Sequence, residues 1–180
     1  KRSLAVPVPL LVLLPLVASC GGAGGDGAPS TDLAFTISFP QEVSPDPQDG
    51  RLILVISKRS EGEPRFQVAA GPEGQQLFGL DVEGWMAGAD AVMGPDVFGF
   101  PLESMGSIPP GDYVAQAVLN RYQTFTRSDG HTVKLPPDRG EGQQWASKPG
   151  NFYSEPTPFT VGAAGGRDRV HLSLSQVIPE

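Results

Sequence analysis

The chain has 180 residues and a mass of 18.9 kDa, room for one ordinary domain and not comfortably for two. A net charge of −7 and a pI near 4.8 exclude a general nucleic-acid binder, because phosphate binding needs a basic face. With Gly 23 and Pro 19 a helical bundle is excluded too, while 39% hydrophobic residues suffice for a core.

The first predicted element is a signal peptide over residues 1–19. Lys1 and Arg2 form a basic head, and Leu4 to Val17 is an uncharged run rich in Leu and Val. That run is shorter than the roughly 20 residues a spanning helix needs, and Pro7, Pro9 and Pro15 interrupt it. A basic head, a short apolar run and small residues after it are the pattern of a secretory signal. Val17-Ala18-Ser19-Cys20 resembles the lipobox of bacterial lipoproteins, in which the Cys is lipidated and becomes the first mature residue. Cys20 is the only cysteine of the chain, and it sits where the pattern demands one. Residues 20–31 then read as the lipidated Cys and a Gly-rich tether, GGAGGDGAPS at 21–30. Cleavage removes Lys1 and Arg2 and takes the net charge from −7 to −9, so the expected membrane partner is reached through the lipid at Cys20 and not through charge. With Cys20 so used, no disulfide supports the domain.

The predicted fold over 32–178 is all-β, an antiparallel sandwich of Ig-like type with roughly eight or nine short strands. Leu33, Phe35, Ile37 and Phe39 alternate with Ala34, Thr36 and Ser38, the period of a half-buried strand. Pro40 to Gly50 reads as a loop. Leu52 to Ile56 is a continuous aliphatic run, suited to a central strand buried on both faces. Arg65 to Ala69 and Gln76 to Val82 are further strand candidates, and Gly84 to Gly99 has room for one short strand. After the turn signal Pro109-Pro110-Gly111-Asp112, the stretch Tyr113 to Phe125 could be a helix capped by Asp112. Its Tyr, Val, Thr and Phe favour a long strand instead. Ser128-Asp129-Gly130-His131 predicts a hairpin turn into a strand at Thr132 to Leu135. Pro136 to Pro156 is a long polar loop, and Pro158 to Val161 and Arg169 to Val177 are the last two strands.

Chemistry is sparse. There is no G-x-S-x-G elbow, and only His131 and His171 could serve a triad. His131 follows a turn, and His171 shares the polar face of its strand with Ser173 and Ser175. Two distant histidines and a lipidated Cys make no zinc set. Asp46 with Asp49, or Asp138 with Glu141, could meet calcium but match no EF-hand loop and read better as turn formers. Asp81 and Glu83, two apart on a strand, share a face and read as a solvated edge. No catalytic residue, metal or cofactor is expected. The long loop offers the ligand-binding candidates Gln143, Trp145, Asn151 and Tyr153, aromatics beside amides that could stack on and hydrogen-bond a sugar. The competing expectation is a loop folded over a sheet edge and pinned by Trp145 and Phe152.

The stretches RLILVIS (51–57), EPRFQ (63–67), QQLFGLDVEGW (75–85) and IPPGDYVAQAVLNRYQTFTRSDGHTVKLPPDRGEGQQWASKPGNFYS (108–154) together resemble a bacterial family. It is the N-terminal β-rich leader domain of secreted esterases of the enterochelin-esterase-like group, in which an α/β-hydrolase domain follows. The resemblance covers about residues 33 to 178, and the block 108–154 is its specific part. It implies a non-catalytic accessory domain of an esterase or serine hydrolase, with the hydrolase domain as an intramolecular partner. Neither end reads as a natural terminus, and residues 179–180 are expected to begin a linker to that downstream domain. The expected location is the bacterial cell envelope, as an exported, membrane-anchored lipoprotein facing the periplasm or the exterior. The alternative is a self-contained surface lipoprotein that binds a glycan or peptide through the 136–156 loop.

Overall fold

A computed structural model describes residues 31–69, 71, 74–138, 140, 142–162 and 168–179. The expected signal peptide, Cys20 and most of the tether lie outside these residues, as does Glu141. The fold is all-β, and apart from one parallel pair its strands run antiparallel.

Twelve strands are present among the described residues: β1 Ala34–Ser38, β2 Gln48–Ser57, β3 Gln76–Trp85, β4 Ala91–Met93, β5 Gly99–Phe100, β6 Gly111–Arg121, β7 Gln123–Thr126, β8 Thr132–Leu135, β9 Phe152–Tyr153, β10 Thr157–Val161, β11 Arg169–Ser173 and β12 Gln176–Val177. The expected eight or nine short strands are corrected in two directions. β4, β5, β9 and β12 span two or three residues, too few to show a period of two. β2, β3 and β6 are instead long, at 10, 10 and 11 residues.

The smaller sheet runs β11-β1-β4, with β1 and β11 parallel from Ala34↔Arg169 to Ser38↔Ser173. The larger runs β12-β9-β6-β2-β3-β5, and β10 also pairs with β6. β9 and β10 lie end to end along one edge of β6, at Val118–Leu119 and Gly111–Ala115. Ser154 bridges the gap: its N–H donates to the Ala117 carbonyl at 2.9 Å, and its Oγ accepts from the Ala117 N–H at 3.0 Å. Gly50, at the irregularity that opens β2, allows close approach to β6, since a Cβ there would lie 2.5 Å from the Asn120 carbonyl oxygen.

The core lies between the sheets. β1 and its flanks contribute Leu33, Phe35, Ile37 and Phe39, every second residue as the alternation predicts. β2 contributes Leu52, Leu54 and Ile56, and β6 contributes Tyr113, Ala115, Ala117 and Leu119. The other face of the larger sheet is covered as well, because Val55, Gln116 and Val118 are fully buried there. The expectation of a strand buried on both faces is met at β2.

Two expected strands are corrected. Arg65 to Ala69 is not a strand: Pro64–Phe66 forms one turn of 3-10 helix, with Pro64 at its start. Its Arg65 N–H is held at 3.0 Å by the Gln116 side-chain oxygen, so the turn sits on the outer face of β6. Arg169 to Val177 is not one strand but two. Leu174 donates its N–H to the Ser38 carbonyl at 2.8 Å, and the chain then crosses to the other sheet, where β12 pairs with β9. The helix alternative at Tyr113 to Phe125 is not realised. The segment forms β6 and then β7, and β7 pairs with β8 in a ribbon around the predicted hairpin turn.

Candidate functional site

The 136–156 loop packs against the edge and outer face of β6, and two arginines hold it. Arg65, only 7% exposed, lies with its guanidinium 3.9 Å from the Tyr153 ring centroid and 4.4 Å from that of Phe66. It donates to Glu63 at 2.7 and 3.3 Å and to the Ala146 carbonyl at 3.0 Å. Burial pushes the Glu63 carboxyl up, but hydrogen bonds from Arg65 and Gln116 and the charge of Arg65 outweigh it, and the net shift is downward. Gln116 completes the network, donating to Glu63 at 2.7 Å and to the Ser154 carbonyl at 2.9 Å.

Arg121 holds the same half of the loop, at Gly150 and Phe152. Its Nε donates to the Gln48 side chain at 2.7 Å and its Nη1 to the Gly150 carbonyl at 3.2 Å, with the guanidinium 4.7 Å from the Phe152 ring centroid. Burial lowers its pKa. Asn151, 1% exposed, lies between. Its Oδ1 accepts from the Arg121 N–H at 3.0 Å, and its amide donates to Asn120 Oδ1 at 3.2 Å and to the Trp145 carbonyl at 3.0 Å.

These contacts place the four loop candidates. Asn151 and Tyr153 are engaged inward, in the frame of the loop. Gln143 is exposed, and its carbonyl accepts from the Trp145 N–H at 3.0 Å. Trp145 is half-buried, whereas Phe152 is buried. Of the two expected pins, Phe152 is the one in the core cluster. A hollow of about 250 Å³ lies beside them, lined by Gln144, Ser147, Lys148 and Pro149.

The remaining candidates sit apart from the loop. His131 is 79% exposed at the tip of the β7–β8 ribbon, 3.2 Å from Asp129, which also pairs with Arg127 at 3.1 Å. His171 is exposed on β11. Asp81 pairs with Arg51 at 2.8 Å, and Glu83 pairs with Lys134. Asp49 accepts from the Gly84 N–H at 2.7 Å and pairs with Lys134 at 3.0 Å. Asp138 accepts from the Gly140 N–H at 2.8 Å. Among the described residues, no three His, Cys, Asp or Glu side chains are grouped as metal ligands.

A second concavity was not legible in the sequence. It has a volume of about 520 Å³ and opens at the end of the larger sheet, where β2 ends and β3 and β6 begin. Ile56, Pro101, Leu102 and Ile108 give it apolar walls, and Tyr113 adds an aromatic one. The Tyr113 hydroxyl donates to the Pro109 carbonyl at 2.9 Å, and burial raises its pKa. Lys58 and Arg59 stand at its lip, both exposed, with Lys58 Nζ 5.8 Å from the Tyr113 ring centroid. No carboxylate lines it among the described residues. Gln75 lines it too, and the Gln75 Oε1 is buried with no hydrogen-bond partner. The sequence signal available was Lys58-Arg59 directly after the β2 aliphatic run; nothing in it places Gln75 or Tyr113 alongside.

Comparison with protein-family models, with curated proteins and with solved structures found no match in any of the three.

Proposed function

We propose that this chain is a lipid-anchored, exported accessory module of the bacterial cell envelope, without chemistry of its own, that serves an esterase-type hydrolase domain. The observation that carries the reading is the position of Cys20. The sole cysteine follows Val17-Ala18-Ser19, and GGAGGDGAPS then leads directly to the first core residue, Leu33. A Gly-rich linker of ten residues would reach about 17 Å on average, enough to hold a sandwich clear of lipid headgroups. The hydrolase association rests on the resemblance at 108–154. The alternative, glycan or peptide binding through the 136–156 loop, is weaker on the geometry, since Asn151 and Tyr153 are already engaged within the protein.

Metabolic labelling with a fatty acid in a bacterial host tests the anchor. The wild type should carry label and sediment with membranes, and Cys20→Ala should do neither. An unlabelled wild type in a host that processes lipoproteins sinks the proposal. The labelled protein should also leave activated esters unhydrolysed above an albumin control; turnover abolished by His131→Ala would make the chain an enzyme.

A further inference from the structure

We propose that the open half of the outer face of the larger sheet, between Phe98, Phe100 and the Arg51–Asp81 pair, binds a short neutral glycan. The site uses no residue of the 136–156 loop, and the inference holds whether or not Cys20 carries lipid.

The register lays two rows of side chains across this face. One runs Gln116, Val55, Leu77, Phe100, and the next runs Val118, Ile53, Gly79, each from β6 through β2 to β3 and the first on to β5. Phe98 ends the second row: its carbonyl accepts from the Gly79 N–H at 3.4 Å, and two residues along an extended chain it shares a face with Phe100. Burial falls along both rows. Gln116, Val55 and Val118 are fully buried, Leu77, Ile53 and Gly79 are half-buried, and Phe100 and Phe98 are 55% and 68% exposed. The turn Pro64–Phe66, seated on β6 through Gln116, leaves the β3 and β5 side open. What remains is a trough with a reachable floor and two phenyl rings for its far wall.

Polar groups stand at one end. The Arg51 guanidinium lies over Gly79, where a Cβ would be 2.5 Å from its Nη2. It pairs with Asp81 at 2.8 Å, and both members of the pair reach solvent. Tyr122 hydrogen-bonds to Asp81 as well. Charge, area and hydrogen bonding select the ligand. The two charges neutralise each other, so neither calls for an ion. The two rings together expose roughly 250 Å², far below the about 800 Å² per partner of a stable protein interface, so the occupant is small. It has to offer an apolar face to the rings beside an edge that donates to Asp81 and accepts from Arg51. A pyranose ring has that form, with C–H groups on its faces and hydroxyls around its rim. A mostly apolar surface with a few placed polar groups is the usual make-up of a small-ligand site.

The probes are three neutral trisaccharides: maltotriose, cellotriose and triacetylchitotriose. Each is titrated into the full-length chain, labelled with nitrogen-15 and held in phosphocholine micelles, which carry no sugar headgroup. At least one should give saturable shifts at the amides of Leu77, Gly79, Asp81 and Phe98. Phe98→Ala should weaken that binding about tenfold, the loss of one stacking ring, with Tm unchanged because the ring is exposed. Gly79→Ala should weaken it too, by lifting the guanidinium into the trough. Trp145→Ala should leave it intact. No saturable shift with any of the three sugars overturns the proposal, as does binding lost in Trp145→Ala and kept in Phe98→Ala, which would place the glycan on the loop. Tighter binding of acetyl-triproline amide overturns the glycan assignment in favour of a peptide. Shifts at these amides that follow protein concentration alone overturn it in favour of a second copy of the chain.

Discussion

Asn151 joins the 136–156 loop to β6. It accepts from the main chain of β6 at Arg121 and donates back to Trp145 and across to Asn120, all from a fully buried position. Asn151→Ala leaves the Arg121 N–H and two oxygens without their partner. Unsatisfied groups of this kind cost about 1–3 kcal/mol each where water is excluded, so a loss of at least about 3 kcal/mol is expected. Trp145→Ala removes a ring that is only half-buried, and about 1–2 kcal/mol is expected, below the range for a buried aromatic. Urea unfolding of the two variants ranks them. The opposite order would return Trp145 to the role of principal pin.

At the scale of the element, the β7–β8 ribbon has little of its own to hold it in place. Its eight strand residues are exposed except Val133. Lys134 fastens it, pairing with Asp49 on β2 and Glu83 on β3. The Asp49 carboxyl lies below its ordinary value, because the Gly84 N–H and then Lys134 hydrogen-bond to it. Lys134 lies above its own, held by Glu83 and then Asp49. A lowered carboxyl pKa gives stabilisation that is present above the unfolded value of about 3.9 and lost as pH falls through the folded one. A raised lysine pKa gives stabilisation present below about 10.4 and lost as pH rises through the folded one. The ribbon should therefore stay docked between about pH 4 and pH 10 and loosen at both ends. The side-chain resonances of Val133 and Phe125 report this. Lys134→Met should show the loosened positions at neutral pH, and a ribbon indifferent to Lys134→Met would refute the fastening.

Over the whole molecule, the two sheets are joined most directly at Phe39, just after β1 in the smaller sheet. Its ring meets Trp85 of β3 edge-on at 4.9 Å and Phe152 of β9 at 5.8 Å, both in the larger sheet. Phe35 makes a similar contact with Phe159 of β10 at 5.2 Å. Phe39 is fully buried, so Phe39→Ala should cost about 3–5 kcal/mol and lower Tm by roughly 10 °C. Calorimetry measures it directly. A loss under about 1 kcal/mol would mean that the sheets do not rely on this contact. The crossing of the last segment, with β11 in one sheet and β12 in the other, adds a covalent tie across the same core.

What the sequence determined by itself was the character of the long strands and the position of the hairpin. Alternation from Leu33 to Phe39, the aliphatic run of β2 and the turn at Ser128–His131 are local signals, and each acts within a few residues. The motif Val17-Ala18-Ser19-Cys20, on which the proposed anchor rests, is local in the same way and is read without any fold. The tertiary structure alone decided the rest. Arg65 left the strand expected of it because Gln116, distant in sequence, holds its N–H and because Glu63 and Tyr153 take its side chain. The final strand broke in two because Ser38 and β9 compete for its halves. Asn151 and Tyr153 became frame and Lys58, Gln75 and Tyr113 became a cleft for one reason. Which side chains converge is set by strand order and register, and those follow from packing between residues far apart in the chain.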